Sequence, residues 1–322
     1  MPSHPPLDPE VAVALAALPP EAGKPLYAED IPFHRERMAL TQPGQEVLRR
    51  GGAVDLEERQ IPGPQGAPEL SVLILRPARG SGPWPGVYFV HGGGMVLGTR
   101  HHGAGELASW VEEAGVAGVS VEYRLAPEHP HPAPVEDCYA GLTWTAAQAS
   151  ELGIDSSPLI IAGQSAGGGL AAGTALMARD RGGPPLSHQI LVCPMLDDRG
   201  ITPSAQEIDH VGFWGRISNL TGWTALLGEA RGGPDVSPYA APGRATDLSG
   251  LPATFIDVGT VDMFRDEDID YAARLSRAGV SVELHLWPGG FHGFEDAAPD
   301  SKLTQAALAA RLAYLRRVLA AA

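Results

Sequence analysis

Gly163-Gln164-Ser165-Ala166-Gly167 is a glycine–x–serine–x–glycine pentapeptide. The apolar run Ser157–Ala162 leads into it, and the small-residue stretch Gly167–Ala172 follows. The run is short and bulky enough for a buried strand, and the stretch after it is compatible with a helix. A serine on a sharp strand-to-helix turn has its hydroxyl thrust above the sheet, and flanking glycines let the backbone turn without a Cβ clash. The nitrogen of Ala166, just inside the helix, then points at whatever the hydroxyl attacks. Taken alone, the pentapeptide is equally compatible with a glycine-rich helix start and an incidental serine. Other segments decide between the two.

His91-Gly92-Gly93-Gly94 is the most informative of them. It also follows an apolar, strand-like run, Gly86–Val90. Consecutive glycines after a strand expose backbone N–H groups that no side chain covers, and the amides of Gly93 and Gly94 suit an oxyanion developing on a tetrahedral carbon. A dinucleotide-binding loop would need glycine-x-glycine-x-x-glycine opening a helix, and a phosphate loop would need lysine followed by serine or threonine. Met95-Val96-Leu97-Gly98 supplies neither. His91 precedes amides that must be held rigid, so support of this loop suits it better than a role as base.

His91–Gly94 with Gly98, the segment Tyr123-Arg124-Leu125-Ala126-Pro127-Glu128-His129-Pro130, and Gly163–Gly168 together resemble the hormone-sensitive-lipase-like branch of the α/β-hydrolases. That branch includes bacterial carboxylesterases and acetyl hydrolases. The resemblance runs from about Pro85 to the C-terminus and is weak before about Val54. Gln164 departs from it, because the family usually has aspartate there. The pentapeptide varies at that position, so the turn is expected to survive without the aspartate's charge.

The pattern along the chain fits an α/β architecture. Val54–Ile61 and Glu69–Arg76 read as strands joined by the turn-prone Pro62–Gly66. Strands Gly86–Val90, Ala117–Tyr123, Pro158–Ala162 and His188–Cys193 then alternate with helical stretches near Gly105–Ala114, Pro134–Ser150 and Ala166–Arg181. This alternation predicts a mostly parallel central sheet with helices on both faces. Residues 1–53 are helical in pattern. Asp8 and Pro9 open a helix over Val11–Leu18, with further turns at Ile31–Leu40 and Gln45–Arg49. The alternation breaks over 196–250, where only Val211–Leu227 is amphipathic. The resemblance implies that segment 1–53 and insertion 196–250 join as a small helical cap over a catalytic domain spanning 54–322; an arm that merely packs on the main domain is the alternative. Phe213, Trp214, Leu220, Trp223 and Leu227 would face an acyl pocket, pack against residues 7–40, or form plain cap core.

A serine hydroxyl attacks poorly until a neutral imidazole accepts its proton. In this fold the partners follow in the order serine, acid, histidine. Among the eleven histidines, only His188, His210, His285 and His292 come late enough. His188 starts a strand, His210 lies in the insertion, and His285 sits inside the alternating strand Val282–Trp287. His292 follows Pro288-Gly289-Gly290-Phe291, a loop leaving that strand, from which a base can reach the serine. Its Phe-His-Gly-Phe setting resembles the family's catalytic loop. The acid should lie just beyond another strand. Asp262 does so, after Ala253–Gly259, and matches the family's acid position; its rival Asp257 lies within the strand, where it is expected to bond a neighbouring loop. Asp266, Glu267 and Asp268 begin a helix, where negative charge is stabilising. Tyr123, Arg124, Glu128, Glu136 and Asp137 are expected to form a charge network supporting the site.

The resemblance therefore implies a serine carboxylesterase for short- to medium-chain esters, with Ser165, His292 and Asp262 as triad and Gly93, Gly94 and Ala166 as oxyanion donors. An amide or N-acetyl hydrolase, or an acyltransferase, would use the same nucleophile. A ligand-binding receptor would be expected to lack part of the triad. No metal or organic cofactor is called for.

A formal net charge of −15 argues against nucleic acid and anionic membrane surfaces as partners. Cys138 and Cys193, the only cysteines, fit no metal-ligand spacing and read as buried free thiols of a reducing compartment. The apolar stretch Val11–Leu18 lacks a basic lead-in and is too short to span a bilayer, which favours a cytoplasmic location without membrane insertion. Asn219-Leu220-Thr221 matches a glycosylation pattern by chance on this view. Homodimers are frequent in the resembled family, but the sequence shows no interface signature.

Overall fold

Alternate residues of the central strands bury against opposite faces of one sheet, and this sets the whole architecture. In a computed structural model describing residues 4–19, 21–209 and 211–321, the strands are β1 (Val54–Ile61), β2 (Leu70–Pro77), β3 (Trp84–Val90), β4 (Ala117–Glu122), β5 (Ile154–Gln164), β6 (His188–Val192), β7 (Ala253–Val261) and β8 (Val282–Phe291). They form a single eight-stranded sheet in the order β1-β2-β4-β3-β5-β6-β7-β8. The β1–β2 and β2–β4 pairs are antiparallel, and every later pair is parallel.

The helices are α1 (Pro9–Ala17), α2 (Ile31–Thr41), α3 (Gln45–Leu48), α4 (Ala104–Ala114), α5 (Ala133–Ala147), α6 (Ala149–Leu152), α7 (Ala166–Arg181), α8 (Pro203–Glu207), α9 (Arg216–Leu227), α10 (Arg265–Arg277), α11 (Phe294–Ala297) and α12 (Lys302–Ala320). Tyr88 and Val90 of β3, Ile161 of β5 and Ile256 of β7 pack with α5, α7 and α10. Their neighbours Val87, Phe89, Ile160 and Phe255 pack with α4 and α12 on the other face. Each such side chain contributes about 1.5–3 kcal/mol on burial, so the two-sided pattern fixes strand register as well as stability.

Several element bounds differ from the sequence reading. The helical stretch expected over Pro134–Ser150 is two helices, α5 and α6, and β5 begins four residues earlier than expected, at Ile154 rather than Pro158. Cys193 lies past the end of β6 with a φ of 35°, so it belongs to a turn, not to the strand. The C-terminal α12 has no counterpart in that reading.

The N-terminal helices begin as their sequence dictates. Asp8 caps α1, its carboxylate accepting from Glu10 N at 2.9 Å and Val11 N at 3.2 Å, with Pro9 at the first helical position. Such a cap contributes about 0.5–2 kcal/mol. The segment meets the insertion where Leu26 N donates to Ser218 Oγ of α9 at 3.0 Å. His34, Met38 and Thr41 of α2, and Phe213 and Trp214 of the insertion, line one cleft above the carboxyl ends of the strands. Asn219 is 5 % exposed within α9, which closes the glycosylation pattern to modification in the folded protein. Among the described residues, no helix is long and apolar enough to cross a membrane.

Candidate active site

Ser165 sits where β5 hands over to α7, with φ 55° and ψ −122°. A non-glycine residue at such a φ costs on the order of 1–3 kcal/mol and persists only where its surroundings fix it. Three backbone bonds do so. Ser165 N donates to Val192 O at 2.8 Å, and Ser165 O accepts from Met195 N at 2.9 Å and Gly169 N at 3.1 Å. The flanking glycines are required by close approach. A Cβ on Gly163 would lie 2.2 Å from Gly167 O, and one on Gly167 would lie 2.1 Å from Val90 O.

β8 runs on through Pro288–Phe291, which the sequence reading made a loop, so His292 follows the strand's last residue, as Asp262 follows the last of β7. Adjacent parallel strands thus deliver Asp262 and His292 side by side, one and two strands beyond the serine's neighbour β6. Ser165 Oγ lies 2.9 Å from His292 Nε2, and His292 Nδ1 lies 2.8 Å from Asp262 Oδ2. The other oxygen of Asp262 accepts from Phe264 N at 2.9 Å, which fixes the carboxylate's rotation. The Phe264 ring meets the imidazole edge-on, centroids 5.1 Å apart. With Nδ1–H donating to the carboxylate, Nε2 is left as acceptor for the serine proton. Burial opposes the charged imidazole, but the charge and hydrogen bond of Asp262, with Glu295 and Asp296 nearby, outweigh it and raise the His292 pKa above its ordinary value.

The glycine loop lies against the serine turn, and Gly92, Gly93 and Gly94 line the same cleft as Ser165 and His292. Gly93, Gly94 and Met95 all have positive φ, at 118°, 60° and 68°. His91 beneath them is fully buried and stacked on Tyr123, ring centroids 4.2 Å apart. Its Nδ1 is 2.7 Å from Gly92 O, and the Tyr123 hydroxyl donates to His91 O at 2.9 Å. Burial drives the His91 pKa down to about 3, so the ring is a neutral prop. Ala166 opens α7 and is fully buried next to Ser165. Gln164 pairs with Val192 through the backbone and turns its side chain into the cleft wall.

The remaining candidates fall elsewhere. His285 is held mid-strand on β8, its Nε2 2.8 Å from Glu283 Oε1 and its ring stacked on Trp287. His188 starts β6 and packs edge-on against Tyr314. His210 lies outside the described residues. The Asp257 carboxylate bonds a helix and a strand, its Oδ2 accepting from Arg311 Nε of α12 at 2.7 Å and from Trp287 Nε1 of β8 at 2.9 Å, while its backbone carbonyl accepts from Cys193 N in the turn past β6 at 2.7 Å. Arg311 also pairs with Glu106 and Glu295, and burial raises the Glu106 carboxyl to about 7.

Nor do the acids opening α10 rest on the helix dipole alone. Glu267 is buried and accepts from Leu196 N at 2.7 Å and Asp197 N at 3.1 Å; Asp266 accepts from Ser204 N at 2.7 Å. Burial raises the pKa of Glu267 and Asp268 well above the carboxylate range. The expected single charge network is three separate ion pairs, Arg124–Asp137, Glu136–Arg181 and Glu128–Arg35. Of that group, Tyr123 reaches the site through His91, and Glu128 reaches the glycine loop through Arg35.

Cys138 and Cys193 are both buried and free. Cys193 is closer to the chemistry than its sequence showed. Its sulfur, with ligand atoms of Asp262 and His292, makes the group among the described residues that could geometrically hold a metal ion, all within 4.8 Å of one another. Asp262 and His292 are already bonded to each other there.

The cleft above these groups has a volume of about 1120 Å³. Leu26 and Met38 from the N-terminal segment, Leu97 from the glycine loop, and Phe213 and Trp214 from the insertion give it apolar walls. Trp214 lies directly on the glycine loop: a Cβ on Gly94 would fall 2.0 Å from its ring.

Residues 87–296 match the family described as the alpha/beta hydrolase fold. Carboxylesterase NlhH of Mycobacterium tuberculosis is 35% identical over 333 residues, covering 98% of both chains. A bacterial heroin esterase of solved structure is 42% identical with a TM-score of 0.90, covering 97% of each chain, and esterase LipW from Mycobacterium marinum is 36% identical with a TM-score of 0.86 over 98% of each. The chain belongs to the α/β-hydrolase family, in its hormone-sensitive-lipase-like branch.

Proposed function

We propose that the protein is a serine carboxylesterase in which Ser165 is nucleophile, His292 general base and acid, and Asp262 the group that orients the imidazole. The observation carrying this reading is the unbroken chain of hydrogen bonds, 2.9 Å then 2.8 Å, from Ser165 Oγ through His292 to Asp262 at the floor of an open cleft. Ser165 Oγ attacks the ester carbon as His292 Nε2 takes its proton, and the carbonyl oxygen becomes an oxyanion received by the amides of Gly93, Gly94 and Ala166. Collapse of that intermediate breaks the bond to the alcohol, which leaves with the proton from His292. Water then attacks the acyl-enzyme by the same proton path in reverse.

In this reading residues 1–53 and 196–250 are the two halves of a cap. Support comes from the cleft, to which both contribute walls, and from the Leu26–Ser218 bond between them. The cap restricts the acyl group to short or medium chains. The proposal places the enzyme in the cytoplasm, acting on small-molecule esters, and on family resemblance as a homodimer.

The test is hydrolysis of p-nitrophenyl acetate, hexanoate and dodecanoate by wild type and Ser165→Ala. Turnover should favour the two shorter esters and fall on the order of 10⁶-fold in the variant. Retained turnover in Ser165→Ala would reject the nucleophile, and preference for dodecanoate would reject the chain-length limit.

A further inference from the structure

The glycine loop holds three consecutive residues at positive φ, and the third, Met95, is not a glycine. Such a backbone holds its shape only if contacts around it over-determine it. Inside the loop, Val96 N and Leu97 N both donate to Gly93 O, at 3.1 and 2.8 Å. From outside, Ala126 N donates to Met95 O at 3.0 Å. The next carbonyl, Val96 O, is held by a residue remote in sequence: Arg35 of α2 donates from Nε at 2.7 Å.

Arg35 does more than meet one carbonyl. Its Nη2 donates to Ala126 O at 2.8 Å, and Nη1 and Nη2 grip the Glu128 carboxylate at 2.8 and 2.9 Å. One planar guanidinium thus ties together α2, the far side of the glycine loop and the Ala126–Glu128 turn that braces the loop from behind. A fork of fixed geometry does this better than a flexible ammonium, because its donors are set at the right mutual angles. The pairing holds the Glu128 carboxyl below its ordinary pKa, through the hydrogen bond from Arg35 first. Glu128 is a half-exposed side chain, so its pairing contributes little stability by itself. Its value lies in aiming the guanidinium at the two carbonyls.

We propose that Arg35 is a positioning residue for catalysis: from the N-terminal segment it locks the Met95–Val96 end of the glycine loop and thereby holds the Gly93 and Gly94 amides on the oxyanion. This rests on the oxyanion role given to those amides above. Oxyanion donors act in the transition state, so loosening them lowers kcat without weakening substrate binding.

The test compares Arg35→Ala and Arg35→Lys with Arg37→Ala, a solvent-exposed arginine of the same helix that packs over Phe33. Each folded variant is measured for kcat and KM on a p-nitrophenyl ester, and for inhibition by an aryl trifluoromethyl ketone, which adds to Ser165 as an oxyanion. In Arg35→Ala, kcat should fall about 10- to 100-fold with KM within about twofold, and ketone affinity should fall in step. Arg35→Lys should lie between, since one ammonium cannot serve both carbonyls and the carboxylate, and Arg37→Ala should match wild type. Wild-type kcat and ketone affinity in Arg35→Ala, or a raised KM with kcat intact, would overturn the assignment. Should Arg35→Ala fail to fold, Glu128→Gln is read instead, expecting the same split at a severalfold loss; unchanged kcat there overturns it equally. A wild type inactive on every ester would count against the proposed function, not against Arg35 alone.

Discussion

Asp257 and Asp262 belong to one strand and its exit, the first within β7 and the second just past its end, and both are almost fully buried. Asp257 accepts from Arg311, a cation that never gives up its proton, and from the Trp287 indole. Asp262 accepts from His292, whose charge changes in the range where enzymes work. Arg311 keeps its charge throughout, whereas His292 can gain and lose its proton. Two identical side chains in equally dry surroundings differ in role because of the partner each strand position delivers. A buried carboxylate is not a catalytic one until something beside it can titrate.

The largest effect that would separate the two is loss of Asp262. Asp262→Asn leaves the shape of the site but turns the imidazole toward the wrong tautomer, and kcat should fall roughly 10⁴-fold. The pH profile carries the same information with a definite sign. Only neutral His292 accepts the serine proton, so kcat/KM is present above its pKa and lost as pH falls through it. The neighbouring carboxylates raise that pKa in wild type against the pull of burial. Asp262→Asn removes the main raising interaction, so the acidic limb of the profile should move to lower pH. A limb that stays in place would remove Asp262 from the triad.

The second region should respond in stability. Arg311→Met leaves Asp257, Glu106 and Glu295 without their shared cation inside the protein, and unfolding free energy measured in urea should drop by about 3–5 kcal/mol. An unchanged midpoint would show that the cluster is not held by charge. The smallest expected effect is that of Asp257→Asn on turnover: the folded variant should keep kcat within about threefold of wild type. A loss as large as that of Asp262→Asn would erase the distinction between the two aspartates.

The parts of the molecule legible in the sequence are those with short-range causes. Ser165 lies in a pentapeptide whose glycines answer contacts of 2.2 and 2.1 Å, and the strands that carry it show two-sided apolar runs. His292 and Asp262 could be placed because chain order limits the choice and both follow apolar strands, although Pro288–Phe291 before His292 is strand and not the expected loop. The Arg311 cluster was not legible. Its four members come from α4, β7, the α11 turn and α12, and nothing local marks which of several arginines will be buried. Arg35 was hidden for the same reason: the two acceptors that tie it to the loop and its brace are backbone carbonyls, which every residue possesses. Cys193 was misplaced because the left-handed turn that ends β6 has no glycine to announce it. The bonds from Glu267 to Leu196 and Asp197 likewise depend on how α10 docks, which its acidic first turn does not reveal.

The central claim is that Ser165, activated by His292, is the group that becomes acylated. Brief exposure of the wild-type protein to an alkyl fluorophosphonate at neutral pH, followed by peptide mass mapping, tests it most directly. A single adduct on the peptide bearing Ser165, forming as esterase activity disappears and absent from Ser165→Ala, is the result expected. Full loss of activity with the adduct on another residue, or full activity retained after Ser165 is labelled, would contradict it.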